Sequence, residues 1–148
     1  MANQLLNEDI TRQVTEFFQQ LHEPVQVLFF GSKTNCDYCD DTQQLIQEVV
    51  ATSDKLGLSV HDIDQDAALA QQYKVDKTPG MVIAGRDGDQ ILDYGIRYSG
   101  IPSGHEFSSL INTLLLVSNR DSGLNQKTRD FLSKLDKPVH LQVFATPT

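Results

Sequence analysis

Tryptophan is absent, cysteine occurs only twice, and 12 Lys and Arg face 20 Asp and Glu in a chain of 148 residues. Each shortage excludes something. Two cysteines cannot form the multi-bridge framework that holds small secreted domains together. The acidic balance, a net charge of -8 and a pI near 4.7, opposes binding to nucleic acid or anionic lipid, since both demand clustered Lys and Arg. No apolar run approaches the roughly 20 residues of a membrane span. The opening stretch from Met1 to Asp9 carries neither a basic segment nor the apolar run of a secretory signal. The expectation is a soluble cytoplasmic protein, with no nucleic acid and no membrane among its partners.

What is present is enough for one core, because 39% of the residues are hydrophobic and the length is near that of a common single domain. Ile10, Val14, Phe17, Phe18 and Leu21 recur at helical spacing from Glu8, and Pro24 closes the pattern. Val25 to Phe30 has the length and the β-branched and aromatic content of a buried strand. After a short loop comes Cys36-Asp37-Tyr38-Cys39, and Leu45, Ile46, Val49 and Val50 continue a helical stripe beyond it. Leu58 to Ile63 predicts a second strand, which makes a strand-helix-strand unit with a parallel right-handed crossover. A short helix over Ala67 to Tyr73 follows.

In the second half, Met81 to Ala84 and Gln90 to Tyr94 flank an Asp87-Gly88 pair, a hairpin signal. Phe107, Leu110, Ile111, Leu114 and Leu115 then describe a helix whose apolar stripe covers a sheet face. The order βαβ then ββα, with one helix ahead, is the thioredoxin arrangement. The expected fold is α/β, a mixed four-stranded sheet flanked by helices.

The tail repeats the start. Displaced by 114 positions, Phe17, Leu21, Pro24, Val25, Phe30 and Thr34 match Phe131, Leu135, Pro138, Val139, Phe144 and Thr148. A helix followed by a Pro-Val strand is thus begun a second time. The expected division is residues 1–120 as a unit carrying the CxxC, and residues 121–148 as the first helix and strand of a second, truncated unit. The chain ends where that unit's own CxxC would follow.

A cysteine exchanges disulfides only as thiolate, and a free thiol with a pKa near ~8.5 is a few per cent ionised at neutral pH. A helix start lowers that value, which makes Cys36 the attacking thiol and Cys39, one turn deeper, the resolving one. A bridge across so short a loop restrains the unfolded chain little and suits a switch better than a staple. Lys33 adds positive charge near the thiolate and Asp37 acts in the opposite direction. Asp37 and Tyr38, the residues between the cysteines, tune the redox potential. Thr78-Pro79 stands directly before a strand; a cis bond there would leave the Thr78 backbone free to pair with an incoming substrate strand beside Cys36.

Two other readings compete. Structural zinc needs four ligands, and His22, His61, His105 and His140 show no second paired spacing to complete a metal-binding CxxC module. A redox-quiet docking or scaffold unit would have no physical need for two thiols at a helix start. Dithiol exchange is therefore the leading expectation, with no metal and no cofactor.

The assembled residues resemble the two-unit protein disulfide oxidoreductases of archaea and bacteria, also called glutaredoxin-like proteins. The more specific part is Gly95 to Phe107, similar to that family's segment leading into the last helix of the first unit and to the N-terminal domain of the alkyl hydroperoxide reductase flavoprotein. By resemblance, Cys36 to Cys39 matches the first-unit CxxC, Thr78-Pro79 the cis-Pro loop, and Lys137-Pro138-Val139 the opening of the second unit. The resemblance implies protein disulfide substrates, and a thioredoxin-reductase-like flavoprotein or a peroxiredoxin as partner. A dimer through the C-terminal strand is a further expectation. The chain departs from glutaredoxins, which have Pro where Asp37 stands, and from thioredoxins, which have Trp where Asn35 stands and a buried Asp where Phe30 stands.

Overall fold

A computed structural model describes residues 4–146, so Thr148 of the repeat lies outside the described residues. The elements in order are helix α1 (Glu8–Phe17), a 3-10 turn (Phe18–Gln20), β1 (Val25–Gly31), α2 (Cys39–Val50), β2 (Leu56–Asp62), α3 (Ala67–Gln72), β3 (Gly80–Asp87), β4 (Gln90–Ser99), α4 (His105–Ser118) and α5 (Gln126–Leu132). The sheet order is β2-β1-β3-β4, with β1 parallel to β2 and antiparallel to β3, and β3 antiparallel to β4. This is the expected mixed four-stranded sheet.

Strand β1 is central and buried on both faces, which explains its nearly continuous apolar run. Val25, Val27 and Phe29 point to one face, where α1, the 3-10 turn, α2 and α4 supply Val14, Phe18, Ile46, Val49, Leu110 and Leu114. Leu28 and Phe30 point to the other, packing with Ala70 and Tyr73. The stripe foreseen on α4 is the buried one, through Leu110, Ile111 and Leu114. Asn7 caps α1 by accepting the Ile10 amide at 2.8 Å, with Glu8 and Asp9 in the first turn where the helix dipole favours negative charge.

Several boundaries differ from expectation. The first helix ends at Phe17 and tightens to 3-10 geometry before Leu21. Strand β4 runs on to Ser99, because a bulge between Ile83 and Gly85 of the β3 register absorbs the break at Gly95, whose φ is +81. Bulges of this kind interrupt a ladder without ending it. Gly88 takes a left-handed φ of +58 in the two-residue turn between Asp87 and Gln90, the conformation that selects Gly there.

Beyond Arg120 the chain leaves the core. Helix α5 buries none of its residues. Val139 to Phe144 forms no strand: it is unpaired, and Phe144 is 90% exposed. The reason is local, since a strand needs a neighbour to satisfy its backbone, and none of the sheet's strands pairs with this segment. Among the described residues no helix is long and apolar enough to cross a membrane.

Candidate functional site

The site lies where the parallel strands β1 and β2 end side by side. Gly31 closes β1 and lies across from Asp62 at the end of β2, and the Ile63 amide donates to the Gly31 carbonyl at 2.9 Å. The chain then crosses Ser32 to Asn35 and reaches Cys36. Cys36 and Cys39 are joined in a disulfide, with 5.5 Å between their Cα atoms, within the ordinary span of such bonds.

The placement of the two cysteines refines expectation. Helix α2 begins at Cys39, so Cys36 sits in the turn that enters the helix and is not a helical residue. Cys36 is half-buried, whereas Cys39 is 5% exposed and belongs to the core. Tyr38 is the N-cap, although its side chain makes no capping bond and is 58% exposed. What fixes this end is Thr42, fully buried, whose hydroxyl donates to the Tyr38 carbonyl at 2.6 Å while its amide bonds the same oxygen at 3.0 Å. Sequence reasoning does not single out Thr42; a hydroxyl inside an apolar helical stripe three residues after a cysteine is its only signal.

A cleft of about 510 Å³ opens beside the disulfide on the β2 side, lined by Cys36, Cys39, Lys33, His61, Asp62 and Asp66 among others. A Cβ built on Gly31 would meet the Phe29 ring at 3.0 Å and lie 3.5 Å from Cys39 Sγ, so the end of β1 packs directly beside the buried sulfur. Lys33 and Asp37 are both exposed, Lys33 on the cleft and Asp37 in the turn between the sulfurs. The Thr78-Pro79 bond is cis. Gly80 lies across from Phe30 in register, which brings Pro79 level with Gly31 on the β3 side, opposite the cleft. Pro79 is buried, and its carbonyl accepts the Gly100 amide at 2.9 Å. Thr78 and Pro79 do not line the cleft.

Sequence reasoning does not foresee that Asp62 and Asp66, or His61, weighed there only as a metal ligand, line the cleft beside the cysteines. Asp62 Oδ1 accepts the amides of Asp64 at 3.0 Å and Gln65 at 3.1 Å. His61 Nδ1 lies 3.5 Å from Asp66 Oδ2, its Nε2 lies 3.1 Å from the Ser59 hydroxyl, and its ring lies 5.1 Å from that of Phe30. The available signal is topological: in a parallel pair, the residues that follow both strands converge at one end. Among the described residues no group of three or more His, Cys, Asp or Glu could hold a metal ion. The arrangement can form and break one disulfide at the protein surface, with one sulfur reachable and the other held behind it.

Comparison with known proteins places this geometry. The thioredoxin domain family model matches residues 24–112, more than half of the chain. An alkyl hydroperoxide reductase protein of Staphylococcus aureus is 27% identical over 144 residues, covering 97% of this chain and 25% of that protein. The chain thus spans about a quarter of the length of the curated relatives it matches. Among solved structures, a protein disulfide oxidoreductase from Aeropyrum pernix superposes with a TM-score of 0.74 at 29% identity, covering 87% of this chain and 55% of the other. The alkylhydroperoxide reductase protein AhpF from Enterococcus faecalis superposes with a TM-score of 0.78 at 26% identity, covering 90% and 62%.

Proposed function

The chain belongs to the thioredoxin domain family, and from that premise we propose that it is a thiol-disulfide oxidoreductase working through the Cys36–Cys39 pair. The observation that carries the reading is the disulfide itself, set at the entrance of α2 with one half-buried and one buried sulfur beside an open cleft. Exchange requires that asymmetry: an accessible thiolate to attack, and a second thiol close enough to resolve.

In the reductive direction, Cys36 thiolate attacks a substrate disulfide and a mixed disulfide forms as the first substrate sulfur leaves. Cys39 then attacks Cys36 Sγ, the Cys36–Cys39 bond closes, and the second substrate sulfur leaves as a thiolate. The cis Thr78-Pro79 segment at the start of β3 is the proposed docking edge for the substrate strand, recognised through backbone hydrogen bonds. Lys33, Asp37 and Tyr38 are the proposed tuners of the Cys36 thiolate. The relatives extend the proposal to partners. A thiol-dependent peroxidase of the peroxiredoxin type leaves a disulfide that a dithiol of this kind can reduce, and a thioredoxin-reductase-like flavoprotein can resupply the electrons. We also propose that residues 121–148 begin a second unit, supported by the internal match from Phe131 to Phe144, and that the exposed Val139 to Phe144 segment is a site of self-association.

The reading is tested by turnover of a general protein disulfide such as that of insulin with dithiothreitol as donor. Cys36→Ser should abolish the protein-dependent rate; full retention of the rate would sink the proposal in favour of a redox-quiet scaffold.

A further inference from the structure

One charged side chain in the cleft takes no part in the exchange steps themselves. Asp62 closes β2 directly across from Gly31, the residue that packs beside Cys39 Sγ, and it lines the same cleft as both cysteines. Its carboxylate is held in place: the Gln65 and Asp64 amides donate to it at 3.1 and 3.0 Å. These two amides, with lesser help from the Lys33 backbone and the Lys33 charge, outweigh partial burial and hold the Asp62 carboxyl below its usual range. At neutral pH the cleft therefore contains a fixed anion. The other charged groups there are differently engaged. Asp66 accepts the Asp62 amide at 3.0 Å and faces His61, while Asp40 is exposed in the first turn of α2.

We propose that Asp62 is a positioning residue that sets the redox potential of the Cys36–Cys39 pair, its anchored carboxylate disfavouring the reduced, thiolate-bearing form and so giving the dithiol reducing power. The proposal rests on the dithiol exchange reading above and gives it a direction. The reduced site carries a negative sulfur and the oxidised site carries none, so a nearby carboxylate raises the free energy of the reduced state alone. Two electrons then pass outward: the substrate S–S bond breaks, its two sulfurs leave as thiolates that take protons from solvent, and the Cys36–Cys39 bond forms. A second effect has the same sign. The Lys33 charge acts on Asp62, so the cleft's lysine is partly compensated by an acid and does less to stabilise the sulfur.

The test is the equilibrium of the pair in dithiothreitol redox buffers, together with the pH profile of Cys36 alkylation in the reduced chain. It compares the parent with Asp62→Asn and Asp62→Ala. Asn keeps the oxygen that accepts the Asp64 and Gln65 amides and removes the charge. Asp62→Asn should shift the equilibrium roughly three- to tenfold toward the dithiol, about 14 to 30 mV at the two-electron constant of 29.6 mV per tenfold change, and should lower the apparent Cys36 pKa. Asp62→Ala should show the same charge effect and, in addition, faster amide exchange at Asp64 and Gln65. Should either variant fail to fold, raising NaCl from 0.05 to 1 M should move the parent's equilibrium in the same direction, because salt screens an open-cleft carboxylate. An Asp62→Asn equilibrium and alkylation profile superimposable on the parent's, in a pair that cycles reversibly, would overturn the proposal. So would a salt-independent parent equilibrium. Failure of the underlying reading looks different: the parent pair would then reduce no disulfide substrate at all.

Discussion

At the scale of single residues, the groups that fix the site are polar side chains serving backbone amides and carbonyls. Glu48 accepts the Leu5 amide at 3.0 and 3.1 Å through its two oxygens and the Leu6 amide at 2.7 Å. It thereby ties the segment ahead of α1 to α2, the helix that carries Cys39. Partial burial alone would raise its pKa, but the amides of Leu5 and Leu6 and the side chain of Gln44 more than reverse this, leaving it below the ordinary value of 4.5. A carboxylate depressed in the folded state stabilises above its unfolded pKa and loses that contribution as pH falls through the lower folded value. The Leu5 and Leu6 amides should therefore stay protected at pH 4.5 and lose that protection only as pH falls through the lower value at which folded Glu48 takes up its proton, and Glu48→Gln should remove this acid dependence. Hydrogen exchange followed by NMR reads both. None of this is legible in the sequence, because Glu48 and Leu6 are 42 positions apart and no local pattern couples them. Ser118 is a second case. It is fully buried at the end of α4, and its hydroxyl accepts the His22 amide at 2.9 Å and donates to the Glu23 carbonyl at 2.7 Å, a contact visible only once α4 lies on the sheet. Cys36 and Cys39 are legible for the opposite reason, since a three-residue spacing next to a strand carries its chemistry locally.

At the scale of elements, periodicity and composition locate every strand and helix of the thioredoxin unit, and the differences fall at their ends. The alternation predicts a shorter β4, because Gly95 and Arg97 interrupt it. In the fold Gly95 sits at a bulge, and Arg97 reaches sideways, donating from Nε to the Tyr73 carbonyl at 2.7 Å and pairing with Asp93 at 2.8 Å. The same reasoning predicts that α2 begins nearer Cys36. It starts at Cys39 because the first turn is organised by Thr42 on the Tyr38 carbonyl, leaving Cys36 in a turn where it stays reachable. The bridge closes a loop of a few residues, so its effect on the unfolded chain is near the low end for disulfides, about 2 kcal/mol. Reduction with dithiothreitol should accordingly lower the unfolding free energy in urea by no more than about that amount, with α2 retained in the circular dichroism spectrum. Loss of the helix on reduction would show that the bridge is structural and not a switch.

At the scale of the whole molecule, the chain divides into a packed unit and an arm. The core ends with α4, whereas α5 and the segment after it expose Phe131, Leu141, Val143 and Phe144, each at least 64%. The repeat of the starting pattern is legible as sequence, yet an edge-forming strand needs a neighbour to become one, so periodicity by itself cannot foretell its state. Because α5 buries nothing, truncation after Ser122 should leave the melting temperature within about 2 °C of the parent, on the scale of roughly 2–4 °C per kcal/mol for a chain of this size. The same truncation should shift elution on gel filtration toward a smaller species if the arm mediates self-association; unchanged elution would remove that part of the proposal. Dithiol exchange through Cys36 is open to a covalent trapping experiment. The reduced Cys39→Ser chain is mixed with a disulfide-bearing protein, quenched by acid, and analysed by intact mass spectrometry and peptide mapping. The expected result is a covalent adduct through Cys36 that persists because no second thiol resolves it, and none with Cys36→Ser. An adduct formed equally well by Cys36→Ser, or no adduct with either variant, would rule out Cys36 as the attacking thiol.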